Sequence, residues 1–306
     1  MLDLVIYMNN IVKKIITEIC NEENIEYNFI SENFVTVLKK NNTIRYLFGY
    51  KFDLNNHALG EICDDKFALY DLLKSLNIPV VKHNILFNNN NSYNAAHKLF
   101  QEYNNNIVIK PNNGTCGIDV YNINKEKNID KIIKKLFVNN YSISICPFYE
   151  IVNEYRLIVL NNKIVLKYCK YNPKVIGNGK NSIRELLIEF NPAYFQNRLN
   201  DKKYDKILKK GKEFTYSWKF NLSGGAICRD INDKDLENKL ECIALDIAKK
   251  INLKFGSIDI VKTTSDELLI LEINSGVMLD NYIKIHKDGY LNAKKIYKKA
   301  IINLFK

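Results

Sequence analysis

A chain of 306 residues, 46% hydrophobic and 26% charged, has an ordinary globular composition and room for one large domain or two to three small ones. No apolar run approaches the roughly 18 residues that a membrane span needs, and "LVIYM" before Asn9 and Asn10 lacks the basic lead and cleavage site of a signal peptide. Seven scattered cysteines without a C-x-x-C, and four isolated histidines, read as neither a disulfide nor a zinc framework, so a reducing, cytoplasmic setting is expected.

The net charge of +11 raises the question of an anionic partner. Lysine is densest in "DKKYDKILKKGKEF" (201–214), which could grip a phosphate backbone or an acidic polypeptide, or be a solvated face.

In chain order, residues 3–7 read as a strand and 10–20 as a helix with Ile11, Ile15, Ile16 and Ile19 on one stripe. "NFVTVLKK" and "TIRYLFG" read as a hairpin turning at Asn41-Asn42. A helix from Asp64 to before Asn77 leads to a strand, and helical spacing returns at 92–103 and 127–138. "NIVIKP" and "GIDVYNI" are strands, as are "SISICPFYE", "YRLIVLNN" and "KIVLKYCKY", the last two joined at Asn161-Asn162. "NSIRELLIEFN" is a helix capped by Asn181 or Ser182, with Glu185 placed for a capping box. A periodic helix covers 234–250, two strands follow, and a last helix starts near 291. Helices interleaved with hairpins make the class α+β with antiparallel sheets.

Three stretches carry candidate chemistry. In "FGSIDIVKTTSDELLILEINSG", two apolar strands flank a turn near Ser265-Asp266; symmetric pairing sets Asp259 opposite Glu272 with Asn274 on the same face. Opposed like charges are destabilising, so the pair either calls for a hard divalent cation or is a solvent-facing acidic edge. "IVIKPNNGTCGIDV" (107–120) places Lys110 before a loop with Gly114 and Gly117, and a strand after it; the loop could fold over phosphates as a flap, or be a plain hairpin. It is not a Walker loop, which leads into a helix after its lysine. "GNGKNS" (177–182) fails both nucleotide fingerprints, having Lys174 and Ser182 where glycines are required.

Taken in order, these parts resemble the ATP-grasp superfamily, and within it the carboxylate–amine ligases of the cyanophycin synthetase, fused glutathione synthetase and glutamate-tail ligase type, over roughly residues 60–282. The resemblance implies an ATP-grasp fold: a short N-terminal α/β segment (1–62), a small lobe (63–142) and a large lobe with the metal site (143–306). Asp65-Lys66 resembles the position whose lysine meets ATP phosphate, and "VIKPNNGTCG" resembles the K-P-x-x-G-x-x-G hairpin, with Lys110 on phosphate and Gly114, Thr115 and Gly117 in the flap. "CPFYEIVNEYRLIV" is similar to the adenine linker, implying nucleotide contacts from Phe148, Tyr149 and Glu150, ribose contact from Glu154, and a substrate carboxylate or acyl phosphate on Arg156. "VIGNGKNSIRELLIEFN" resembles the V-x-G-D-G-x-x-T-I-x-E-L-x-x-x-x-N element, and "WKFNLSGGA" the basic-x-N-x-S-x-G-G loop, which implies Lys219 and Asn221 near the γ-phosphate. Asp259, Glu272 and Asn274 fall on the family's metal triad for Mg²⁺ or Mn²⁺, two ions being expected.

Three departures stand out: Pro147 where the linker usually begins with an acid, "NSGVMLD" in place of N-x-x-P-G, and "GNG" in place of "GDG". The implied activity is ADP-forming ligation of a carboxylate to an amine on an amino acid or peptide, through an acyl phosphate. The partners implied are those substrates and a second copy of the chain, without membrane or nucleic acid. A non-catalytic ATP-binding regulator is the alternative, supported by Pro147 and "NSGVMLD". A nucleic-acid binder rests on charge alone.

Overall fold

The computed structural model describes residues 10–306, so the strand expected at 3–7 lies outside the described residues. Helix α1 (Asn10–Glu22) buries Val12, Ile15, Ile16, Ile19 and Cys20; of the expected stripe, Ile15, Ile16 and Ile19 are buried and Ile11 packs partly buried against the same core. Four strands follow as a meander: β1 (Glu26–Ile30), β2 (Val35–Lys40), β3 (Thr43–Phe48) and β4 (Lys51–Phe52), in spatial order β1-β2-β3-β4. Asn41 and Asn42 both adopt positive φ, 47° and 62°, which is the backbone a tight two-residue hairpin demands and asparagine tolerates. Strands β1 and β4 were not expected from the sequence.

Two helices come next. Helix α2 (His57–Asp64) is capped by Asn56 and α3 (Lys66–Ser75) by Asp65, whose side chain accepts from Ala68 N. The strand expected after α3 is only a bridge from Val80 to Ile270. Strand β5 (Asn84–Phe87), helix α4 (Asn91–Glu102), strands β6 (Ile107–Pro111) and β7 (Tyr121–Ile123), helix α5 (Ile129–Phe137) and strand β8 (Ser142–Pro147) build a small lobe with sheet order β5-β8-β6-β7. Its core gathers Phe100, Ile107, Ile109, Ile133 and Ile145 between the sheet and the two helices.

The large sheet runs β13-β10-β9-β14-β15. Strands β9 (Ile151–Leu160) and β10 (Lys163–Tyr171) turn at Asn161 and Asn162, both with positive φ. Between β10 and the edge strand lies an inserted unit: β11 (Lys174–Ile176), α6 (Ile183–Phe190), α7 (Pro192–Phe195) and β12 (Glu213–Thr215). Ser182 caps α6 and forms the capping box with Glu185. Strand β13 (Ile227–Arg229), helix α8 (Lys234–Lys250), strands β14 (Phe255–Thr263) and β15 (Leu268–Asn274), and helices α9 (Asp280–Ile285) and α10 (Gly289–Leu304) complete the chain. Every ladder between these strands is antiparallel.

The two faces of the large sheet bury different partners. One packs Leu157, Val159, Ile258 and Ile260 against α8, and also against Leu59 of α2 and Leu69 and Leu73 of α3. Thus α3, within the 63–142 segment, buries its apolar side on the large sheet. The other face sends Ile158, Leu160, Tyr168 and Phe255 into a core shared with α1, the meander and α10. The same alternate positions, carried further along these strands, leave that core and become polar. There the candidate site forms. Among the described residues no helix is long and apolar enough to cross a membrane.

Candidate active site

Strand register brings the charged side chains together. Tyr168, Arg156, Asp259 and Glu272 lie directly opposite one another across β10, β9, β14 and β15, and Lys170 lies opposite Glu154 one step further. Alternate residues of a strand share a face, so Glu154, Arg156, Asp259 and Lys170 all project to one side. The expected facing of Asp259 and Glu272 holds, with Ser257 opposite Asn274. Symmetric pairing ends there, because a register shift after Asp259 sets Ile260 against Ile270. The extra residue, Leu271, bulges so that Leu271 and Glu272 both line the cavity.

Asp259 is fully buried and its charge is balanced by protein. Arg156 grips it in bidentate fashion, Nε to Oδ1 at 2.6 Å and Nη2 to Oδ2 at 2.5 Å, while Lys170 Nζ donates to Oδ2 at 2.9 Å. Burial alone would raise the Asp259 pKa; the charges of Arg156 and Lys170 overcome it and hold the carboxyl below its usual range. Lys170 also donates to Glu154. Burial raises Glu154, and Lys170 draws it back in part. Of the two readings of the Asp259–Glu272 pair, a cation site or a solvent-facing acidic edge, the second fails because Asp259 is fully buried, and a protein cation, Arg156, reaches both carboxylates, with Nη2 3.6 Å from Glu272 Oε1. Lys170 was missed: a lysine in "KIVLKYCKY" looks like any strand lysine until register places it opposite Glu154.

A second group closes over this floor. Lys110 stands on β6 opposite Ser144, and the following loop folds toward α3 and residues 217–223. Lys66 Nζ donates to Gly114 O at 2.6 Å and Asn112 O at 3.0 Å. Lys219 Nζ donates to Gly117 O at 2.9 Å, and Asn221 Nδ2 to Cys116 O at 2.9 Å. Three side chains expected to meet phosphate therefore latch the flap. Burial, reinforced by the charge of Lys110, brings the Lys66 pKa down to about 8. Burial likewise lowers Lys219.

Beyond the flap the cavity becomes an apolar slot lined by Val81, Val108, Cys146, Phe148, Tyr149, Ile151 and Leu271, with Val261 packed behind it. Trp218, not singled out from sequence, meets Phe148 edge-on with ring centroids 5.5 Å apart. Phe148 N donates to Asn106 O at 3.0 Å, and Glu150 O accepts from Thr264 N at 2.9 Å. Glu150 is the one expected nucleotide contact whose residue does not line the cavity, since its side chain points to solvent.

Slot, flap and charged floor enclose one cavity of about 600 Å³, a volume suited to a ligand of nucleotide size or larger. Its wall carries Lys51, Lys66, Lys110, Arg156, Lys170 and Lys219 against Asp64, Glu154 and Glu272. That excess suits a polyanion. Asp64 is paired with Lys51 and Glu154 with Lys170, which leaves Glu272 as the least committed carboxylate on the wall. Among the described residues no three His, Cys, Asp or Glu side chains converge on a metal position. Glu272 and Asn274 nevertheless offer adjacent hard oxygen donors, with Asn274 Nδ2 3.2 Å from Glu272 Oε1, and fit a hydrated Mg²⁺ that completes its shell with phosphate and water. Asp259 joins them only if Arg156 lets go.

No family model matches the chain. Over 92% of its length it is 25% identical, across 309 aligned residues, to the glutathione biosynthesis bifunctional protein of Clostridium perfringens. The chain spans only 39% of that relative's length. Among solved structures it is similar to a bifunctional glutathione synthetase from Pasteurella multocida, with TM-score 0.57 at 16% identity over 96% of this chain and 44% of that one. It is also similar to D-alanyl-alanine synthetase A from Vibrio cholerae, with TM-score 0.55 at 10% identity over 94% and 93% of the two chains. These likenesses are of fold, and the fold is the one the ordered motifs implied.

Proposed function

We propose that this chain, which has the ATP-grasp fold, is an ADP-forming ligase that joins a carboxylate to an amine through an acyl phosphate. The observation that carries the reading is the cavity in which an apolar slot leads under a latched glycine flap to a floor of excess positive charge beside Glu272 and Asn274. The slot takes the adenine between Val108, Phe148 and Leu271. The Phe148 C=O and the Glu150 N–H, the other backbone groups of the two residues already anchored by Asn106 and Thr264, read its edge.

Lys66, Lys110 and Lys219 offset phosphate charge, and Lys66 and Lys219 exchange their flap carbonyls for phosphate oxygens when nucleotide enters. Glu272 and Asn274 would hold Mg²⁺ or Mn²⁺, which would supply charge neutralisation to the transferring phosphoryl group. A second ion would rest mainly on phosphate and water, because Glu154 and Asp64 are tied to Lys170 and Lys51. Arg156, part-exposed above Asp259, turns its free edge to the acyl phosphate or the tetrahedral oxyanion. The flap excludes water from an intermediate that water would destroy.

The test is ADP release from Mg-ATP with a panel of amino acids and short peptides, comparing wild type with Glu272→Gln. Turnover that depends on an acid–amine pair and falls at least about a hundredfold in the variant is expected. Tight ATP binding without pair-dependent turnover would replace the ligase with a nucleotide-binding regulator.

A further inference from the structure

We infer that the charged end of the cavity opens onto a subsite for a bulky apolar side chain, so that the amino acid or peptide joined here is aromatic or branched aliphatic at its reacting residue. The inference rests on the ligase reading and names its substrate class. The wall beyond the phosphate-facing residues is formed by Phe34, Phe48, Tyr50, Leu222, Met278 and Tyr282.

Each of these is tethered close to the chemistry. Met278 lies four residues past Asn274, and Leu222 directly follows Asn221. Tyr282 stacks on Tyr168 with centroids 5.2 Å apart and planes 19° from parallel, and Tyr168 lies opposite Arg156 in the ladder. The Tyr282 hydroxyl accepts from Asn292 Nδ2 at 2.9 Å. Phe48 and Tyr50 are held against the chain leaving β15: Val277 N donates to Tyr50 O at 3.1 Å, and Lys51 bridges to Gly276. Phe34 meets Phe48 edge-on at 4.3 Å. The aromatic meander and the "NSGVMLD" segment thus form one surface beside Glu272 and Asn274.

The composition of that surface selects. Phe48 is 57% exposed, so an apolar substrate group seated there removes aromatic area from water. Lys51, the cation on this wall, is paired with Asp64. An acidic side chain would therefore lose hydration without gaining a free counter-charge. The dense lysine run at 201–214 lies off the cavity lining, and the cations that do line it cluster around the phosphate position. Apolar pockets discriminate by roughly 10–200-fold per methylene removed, so glycine should be a poor substrate.

Trp218 is the chain's single tryptophan and lines the same cavity, so its fluorescence reports occupancy without turnover. The full chain with Mg²⁺ and a non-hydrolysable ATP analogue is titrated with leucine, phenylalanine and their dipeptides, and with glycine and glutamate; ADP release from Mg-ATP is measured for the same set. At least tenfold tighter binding of the apolar ligands is expected, with turnover in the same order. Met278→Gln and, on a side chain more than half exposed, Phe48→Ser should each erase most of that preference while the nucleotide titration keeps its midpoint. Glycine or glutamate binding as tightly as leucine, or a preference untouched by both variants, overturns the subsite. Apolar binding in the expected order with no ADP release for any ligand upholds the subsite and removes the ligase reading instead.

Discussion

Arg156 holds both carboxylate oxygens of Asp259 at 2.5–2.6 Å while a third hydrogen bond reaches Asp259 from Lys170, so a charge buried at the centre of a β-sheet is satisfied by side chains of the next strand and the one beyond it. The two residues are direct cross-strand partners, and so is Asp259 with Glu272. The arrangement places a guanidinium in the space between two carboxylates where a cation is also expected to act. Structural and chemical roles are therefore stacked on one pair.

Asp259→Asn should accordingly be costly to the fold as well as to activity. The substitution keeps the shape but strands the charges of buried Lys170 and part-exposed Arg156 around a neutral, buried amide. Removing one member of a buried ion pair typically destabilises by about 3–5 kcal/mol. Urea unfolding followed by circular dichroism measures it. A loss below about 1 kcal/mol would mean that Arg156 is free to swing away and that Asp259 is reserved for metal. Glu272→Gln, on a part-exposed carboxylate with only a 3.6 Å approach from Arg156, should lose activity with little change in the unfolding midpoint.

Gly117→Ala tests the flap. Gly117 has φ +65°, and a Cβ there would fall 1.8 Å from Asn221 Nδ2, the group that fixes Cys116 O. The variant must either push Asn221 off the flap or abandon its backbone conformation. About tenfold weaker binding of an ATP analogue, read by Trp218 fluorescence, is expected from the loss of one part-buried hydrogen bond of about 1 kcal/mol and the added strain. Gly211→Ala is the control, since Gly211 shares a positive φ of +78° but has nothing within 4 Å of a new Cβ. It should leave nucleotide binding unchanged.

Much of this site could be read in the sequence because its determinants are local. Asn41-Asn42 and Asn161-Asn162 announce turns through residues that tolerate positive φ, and Ser182 with Glu185 announces a helix start. The facing of Asp259 and Glu272 followed from one short hairpin. What stayed hidden depends on pairing between distant segments. Lys170 and Arg156 meet Asp259 from 89 and 103 residues away. The Leu271 bulge breaks an alternation that looks regular on paper. Strands β1 and β4 and helices α2 and α9 are short and lean on packing more than on propensity, as with Gly60 of α2, where an added Cβ would lie 3.6 Å from Ser275 Oγ.

Lys66 makes nucleotide affinity depend on pH in a definite direction. Its ammonium is held among flap carbonyls and near Lys110, and burial with that neighbouring charge brings its pKa from 10.5 down to about 8. Only the protonated form attracts phosphate. Affinity for Mg-ATP should therefore be full below pH 7, fall through an inflection near 8, and level off above it, and bound phosphate should shift the inflection upward in the complex. The stability effect has the opposite sign. A lysine whose folded pKa lies below its unfolded value costs stability while charged, and that cost is relieved as pH rises from about 8 toward 10.5. Lys66→Arg, charged throughout, should keep affinity at pH 9 and lose the inflection; Lys66→Met should lose both. Titrations of an ATP analogue at half-unit steps from pH 6.5 to 9.5 (roughly the span in which a pKa near 8 is resolved) decide it. An inflection that survives in Lys66→Arg would assign the titration to another group, with half-buried Lys219, the second latch of the flap, as the next to replace.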